Sequence, residues 1–122
     1  MTATRTIQII DDSKVSRMMI KAVIKDLKPD WSVVESGNAD EAIKQASQHS
    51  IDYFSVDLNM PGKDGLELIT ILKQSLPQAK FALLTANIQE QTHKSANELG
   101  AACINKPITE DSISKMLEYF DE

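Results

Sequence analysis

Five short runs rich in β-branched and aromatic residues, TIQII, WSVVES, YFSV, FALLT and ACIN, alternate with longer segments whose apolar residues recur at helical spacing. The first run ends at Asp11, and the segment after it places Val15, Met18, Met19, Ala22, Val23 and Leu27 on one helical face until Pro29 stops it. Lys14, Arg17, Lys21, Lys25 and Lys28 form a basic stripe on the other face, read as solvated, with docking of an acidic partner as the lesser alternative. Asn38 caps a second helix through Ala39, Ala42, Ile43 and Ala46, and Glu41 completes a box-like cap. Pro61-Gly62 suits a type II turn; Asp64 and Glu67 then open a third helix through Leu66, Ile69 and Leu72 to Leu76, closed by Pro77. A mostly polar fourth helix holds Ile88, Ala96 and Leu99 and stops at Gly100, and the last buries Ile113, Met116, Leu117 and Phe120.

Strict β-α alternation favours a parallel sheet covered by helices on both faces, because each crossover must return the chain to the sheet with the right hand. For 122 residues and five runs, the expected fold is α/β, a five-stranded parallel sheet in the flavodoxin-like order 2-1-3-4-5 with five helices on two faces. With 42% hydrophobic residues the chain sustains one core, and the expectation is a single domain over residues 1–122. A net charge of -5 argues against binding to nucleic acid or anionic membrane. No segment has the apolar length of a signal peptide or membrane span, so a cytoplasmic location is expected. Cys103, the single cysteine, has no internal disulfide partner and fits a reducing compartment.

Ligands of such sheets bind beyond the carboxyl ends of the strands at the switch point. Here strand one ends in Asp11-Asp12, strand three in Asp57, strand four in Thr85 and strand five in Lys106. Each alone has an ordinary explanation: Asp12 or Ser13 as a helix cap, Asp57 as a turn entry, Thr85 bonded locally, Lys106 snorkelling from a packed stem. Together they place three carboxylates at one switch point, and such crowding raises pKa values or demands a cation. Hard oxygen donors suit Mg²⁺, with Mn²⁺ as the alternative. With its charge compensated, Asp57 can act as a nucleophile toward phosphorus and become an aspartyl phosphate. Mg²⁺, Lys106 and Thr85 would then share the charge on the phosphoryl oxygens.

This set, with DLNMPGKDGLEL after the acceptor and Lys106-Pro107 in the fifth unit, resembles the receiver domain of two-component response regulators, and most closely the single-domain, CheY-like group without an output domain. The resemblance implies that Asp57 accepts a phosphoryl group from a phosphohistidine on a sensor histidine kinase or a histidine phosphotransfer protein. It implies that Asp12, Asp57 and the Asn59 carbonyl bind Mg²⁺ directly, with Asp11 acting through a water. Thr85 is implied as the switch residue and Lys106 as its partner at the phosphoryl group, with a cis Lys106-Pro107 bond. The protein would catalyse only its own phosphorylation and dephosphorylation, and signal by binding a downstream protein. A flagellar motor switch, a phosphotransfer protein, a kinase or a phosphatase are the partner classes left open, chemotaxis being one setting.

Two positions depart from that pattern: Cys103 stands where the family usually has Tyr or Phe, and Ser55 interrupts a strand where an aliphatic residue is expected. Packing is the plain reading of Cys103, and a redox sensor the sharper one. Asn59 and Asn87 are carboxamides at positions that flank the phosphoryl group in the family, with Ala86 leaving the acceptor accessible, and TANIQ resembles chemotaxis receivers paired with phosphatases. His49 and His93 read as surface residues. The alternative from the enzyme class is a haloacid-dehalogenase-like phosphatase, against which Asn59 stands where that family has a second Asp. A flavodoxin-like flavin carrier fits less well, because acidic groups would repel a flavin phosphate.

Overall fold

The computed structural model describes residues 4–86 and 89–121. Its elements follow one another as β1 (Thr6–Ile10), α1 (Lys14–Leu27), β2 (Ser32–Ser36), α2 (Ala39–Gln48), β3 (Tyr53–Asp57), α3 (Gly65–Ser75), β4 (Lys80–Thr85), α4 (Glu90–Glu98), β5 (Ala101–Asn105) and α5 (Glu110–Asp121). All four strand pairings are parallel and the order is β2-β1-β3-β4-β5, as the alternation predicts.

Alternate side chains along each strand feed two apolar layers. Ile10, Phe54, Val56, Phe81 and Leu83 pack with Leu68, Ile69, Leu72 and Ala96 on one side; Ile7, Ile9, Tyr53, Ala82 and Leu84 pack with Ile20, Ile24, Ile113, Met116 and Phe120 on the other. The first layer contains stacked Phe54 and Phe81, 5.0 Å between centroids; in the second Tyr53 stacks on Phe120 at 4.6 Å. Ser55 is buried in β3 between Ile9 and Ala82, and nothing in the structure explains it.

Local signals set the helix boundaries. Ser13 Oγ accepts from Ser16 N–H at the start of α1, and Asn38 Oδ1 from Glu41 N–H at the start of α2. Asp64 and Glu67 form a complete capping box, and Gly62 takes a φ of 83°, the left-handed conformation that a type II turn requires. The fourth helix begins at Glu90, one residue after an N-cap without a side-chain hydrogen bond, and Ile88, expected on its apolar face, lies outside the described residues.

In α1 most of the expected apolar face is exposed, Val23 alone of it packing against the second layer, while Lys14 and Lys25 of the basic stripe are exposed as expected. Val15, Met18 and Met19 are 65%, 59% and 46% exposed, and Ala22 is exposed as well, whereas Ile20 and Ile24 fill the core. The basic stripe is not simply solvated: Arg17 and Lys21 reach Glu35 on β2 at 3.2 and 3.5 Å, and Lys28 reaches Asp121 on α5 at 2.7 Å. Two β-branched isoleucines, whose whole side chains leave water, set the orientation.

Candidate functional site

The polar residues at the strand ends converge at the carboxyl edge of the sheet, because parallel pairing brings every such end to the same side. Register places Asp57 beside Leu84, one residue before Thr85, and Thr85 beside Asn105, one residue before Lys106. The main chain locks this edge: Leu58 N–H donates to Leu84 O and Lys106 N–H to Thr85 O, at 2.9 and 2.8 Å. Carboxylate oxygens of Asp11, Asp12 and Asp57 all lie within 4.8 Å of one another, with Asp12 exposed and the other two buried.

Lys106 joins the cluster from β5, its Nζ 3.3 Å from Asp57 Oδ1 and 3.6 Å from Asp11 Oδ2. Asp11 Oδ1 accepts from Ser13 N–H at 2.9 Å, while its Oδ2 is buried and, among the described residues, is the one buried side-chain oxygen or nitrogen without a hydrogen bond. An oxygen of that kind in an acidic pocket fits a cation, since buried polar atoms are otherwise satisfied. Burial pushes the Asp57 carboxyl above its ordinary value and Asp11 adds to this, while the Lys106 ammonium and a hydrogen bond from the Asn59 main chain pull the other way. The donor set is hard oxygen without thiol or imidazole, which suits Mg²⁺ in kind.

Thr85 is buried at the end of β4, and Ala86 beside it is exposed. The side chain of Asn59 is exposed on the loop after Asp57, and Asn87 lies outside the described residues. The Lys106-Pro107 bond is cis. His49 and His93 are exposed, on or beside helices. Cys103 is partly buried against the first apolar layer, and burial raises its thiol pKa, which disfavours the thiolate and supports packing over redox sensing. A surface cleft of about 880 Å³ lies at the opposite end of the sheet among Trp31, Tyr53 and Phe120 and holds none of the acidic cluster. Convergent charge, not enclosed volume, defines the site.

Two supporting features escaped the sequence. Gly65 passes under the acceptor strand so closely that a Cβ there would sit 2.5 Å from Asp57 O, so no larger residue fits without moving β3 or α3. A glycine in the first turn of a helix, where it is a poor helix former, was the available signal. Arg17, placed on the solvated face by its spacing, donates from Nη1 to Asp11 O at 2.6 Å.

Comparison with known proteins agrees with this arrangement. The family model described as the response regulator receiver domain matches residues 7–118. The chain is 35% identical over 112 residues to the chemotaxis protein CheY of Listeria monocytogenes, covering 90% of this chain and 92% of that protein. It is 33% identical to CheY of Bacillus subtilis, covering 88% and 89% of the two. Among solved structures, chemotaxis protein CheY4 of Vibrio cholerae superposes with a TM-score of 0.88 at 21% identity, over 97% of this chain and 99% of that one, a likeness of fold.

Proposed function

The chain belongs to the response regulator receiver family of two-component signalling, and on that premise we propose that it is a phosphorylation-operated binding module whose acceptor is Asp57. The observation that carries this reading is the convergence of three carboxylates with Lys106 held 3.3 Å from Asp57 Oδ1. Asp57 Oδ attacks the phosphorus of a phosphohistidine, the N–P bond breaks, and the imidazole leaves with its electron pair. Lys106 holds a phosphoryl oxygen as it turns from Asp57, and the Thr85 hydroxyl takes another. Asp11, Asp12, Asp57 and the Asn59 carbonyl are the groups that would hold Mg²⁺, or Mn²⁺ in its place. Such an ion, when bound, supplies positive charge that keeps Asp57 ionised and offsets the charge of the incoming phosphoryl group. The protein thus acts as a switch that catalyses only its own phosphorylation and dephosphorylation. The haloacid-dehalogenase-like alternative finds no support, since the family matched is the receiver domain and Asn59 offers no general acid.

The donor is a sensor histidine kinase or a histidine phosphotransfer protein, and α1 is the surface for it. Val15, Met18 and Met19 give that helix an exposed apolar stripe next to the acidic edge, and the exposed Lys14 beside them suits an acidic partner. A downstream protein reads the phosphorylated state, and similarity to CheY proteins favours a chemotactic setting with a flagellar motor switch or a phosphatase as that protein. No helix among the described residues is long and apolar enough to cross a membrane; similarity to CheY proteins supports action in the cytoplasm, with the receiver domain spanning this chain.

Acetyl phosphate or beryllofluoride with Mg²⁺, followed by amide NMR, tests the acceptor. Wild type is expected to shift at residues around Asp57, Thr85 and Lys106, and Asp57→Asn to show no such change. Equal responses from the two proteins would overturn the assignment.

A further inference from the structure

We infer that Arg17 is a positioning residue for the acidic site, fixing the main chain of Asp11-Asp12 in the geometry that a divalent cation needs. This rests on the metal reading above and assigns a role to a residue that touches neither metal nor phosphoryl group. Asp12 is exposed and sits in the short connection between β1 and α1, so its own packing cannot hold it in place. Both main-chain groups of Asp11 are instead tied to neighbouring elements: its N–H donates to Ser36 O at 3.1 Å, and its carbonyl accepts from Arg17 Nη1 at 2.6 Å.

The guanidinium is itself held. Arg17 Nε donates to Glu35 Oε1 at 3.2 Å, and only 17% of the Arg17 side chain is exposed. Glu35 adjoins Ser36 on β2, so one strand grips the Asp11 peptide from both directions, directly through Ser36 and indirectly through Glu35 and Arg17. Charge-assisted bonds from a planar fork fix direction as well as distance, and Lys has no such fork to serve a carbonyl and a carboxylate together. Lys21 also reaches Glu35 but, among the described residues, donates no hydrogen bond to Asp11, and so provides a natural control.

Mg²⁺ affinity, measured by isothermal titration calorimetry and by amide shifts, separates positioning from plain stability. Arg17→Lys keeps charge and helix propensity, and Arg17→Met keeps the stem without the fork. Mg²⁺ binding is expected to weaken about threefold to tenfold in Arg17→Lys and about tenfold or more in Arg17→Met, in line with losses seen when groups supporting metal ligands are removed. Amide exchange at Asp12 and Ser13 should speed up in both. Lys21→Met, which removes the second ion pair to Glu35, should bind Mg²⁺ as wild type does. Wild-type affinity in Arg17→Lys, or an equal loss in Lys21→Met, would overturn the proposal while leaving the metal reading intact. Absence of Mg²⁺ binding by the wild type would overturn both.

Discussion

Taking the Asp57 carboxylate out of water disfavours its charge, and Asp11 adds repulsion, so its folded pKa lies above the ordinary carboxylate value despite Lys106 and the Asn59 main chain. A carboxyl with a raised folded pKa binds its proton more tightly when folded. Its ionisation therefore destabilises the fold as pH rises from the ordinary value through the raised one. In the absence of divalent cation, Asp57→Asn should be more stable than wild type at neutral pH by on the order of 1 kcal/mol, a few degrees in thermal midpoint. That difference should shrink on acidification, as Asp57 is protonated, and reverse when Mg²⁺ is added; scanning calorimetry at several pH values with and without Mg²⁺ checks it. At this scale much of the site was legible, because Asp11, Asp12, Asp57 and Lys106 announce themselves as polar groups ending apolar strands. Arg17 and Gly65 were not, because their roles depend on a carbonyl and a backbone that sequence spacing does not reveal.

Strands were easier to place than helix faces. A central strand of a parallel sheet is buried on both sides, so YFSV could be read as an apolar run without deciding which residue faces where. In α1 two apolar stripes lie side by side: Val15, Met18, Met19 and Ala22, which periodicity alone picks out, and Ile20 and Ile24, which the fold buries. The shorter stripe prevails because Ile20 and Ile24 leave water completely against the second apolar layer, and Arg17 and Lys21 then find Glu35 on β2, a long-range partner that no periodicity records. The fourth helix poses the opposite case, with one deeply buried side chain, Ala96, and no side-chain bond at its N-cap. Its C-terminal end is held from outside, by Lys73 Nζ donating to Leu99 O and by Tyr119 Oη donating to Gly100 O at 2.7 Å. A cation at the carbonyl end also opposes the helix dipole favourably. Lys73→Met should therefore loosen α4 locally by about 1 kcal/mol, read as faster amide exchange in residues 96–101 with little change in α1.

Across the whole molecule the parallel sheet sets charge at one end and aromatic packing at the other. Trp31, Tyr53 and Phe120 close the second apolar layer at the end remote from Asp57, with Lys28 paired to Asp121 and Lys80 Nζ donating to Phe120 O. Phe120 is 1% exposed, and truncating such a ring costs about 3–5 kcal/mol, against about 5–15 kcal/mol for the stability of a domain. Phe120→Ala should thus lie close to its unfolding threshold, although it touches nothing at the acidic edge. If the two ends belong to one cooperative unit, a ligand at one must protect the other, because a ligand bound only to the folded state stabilises by RT ln(1 + [L]/Kd), about 2.7 kcal/mol at a hundredfold excess over Kd. Mg²⁺ at that excess should raise the urea midpoint of Phe120→Ala by the same free energy as in wild type, and by much less in Asp57→Asn. Fluorescence of Trp31 follows the transition from the far end, and circular dichroism follows the whole. Coincident transitions with equal Mg²⁺ increments are the expected result; a Trp31 transition indifferent to Mg²⁺ would mean that the two ends unfold separately.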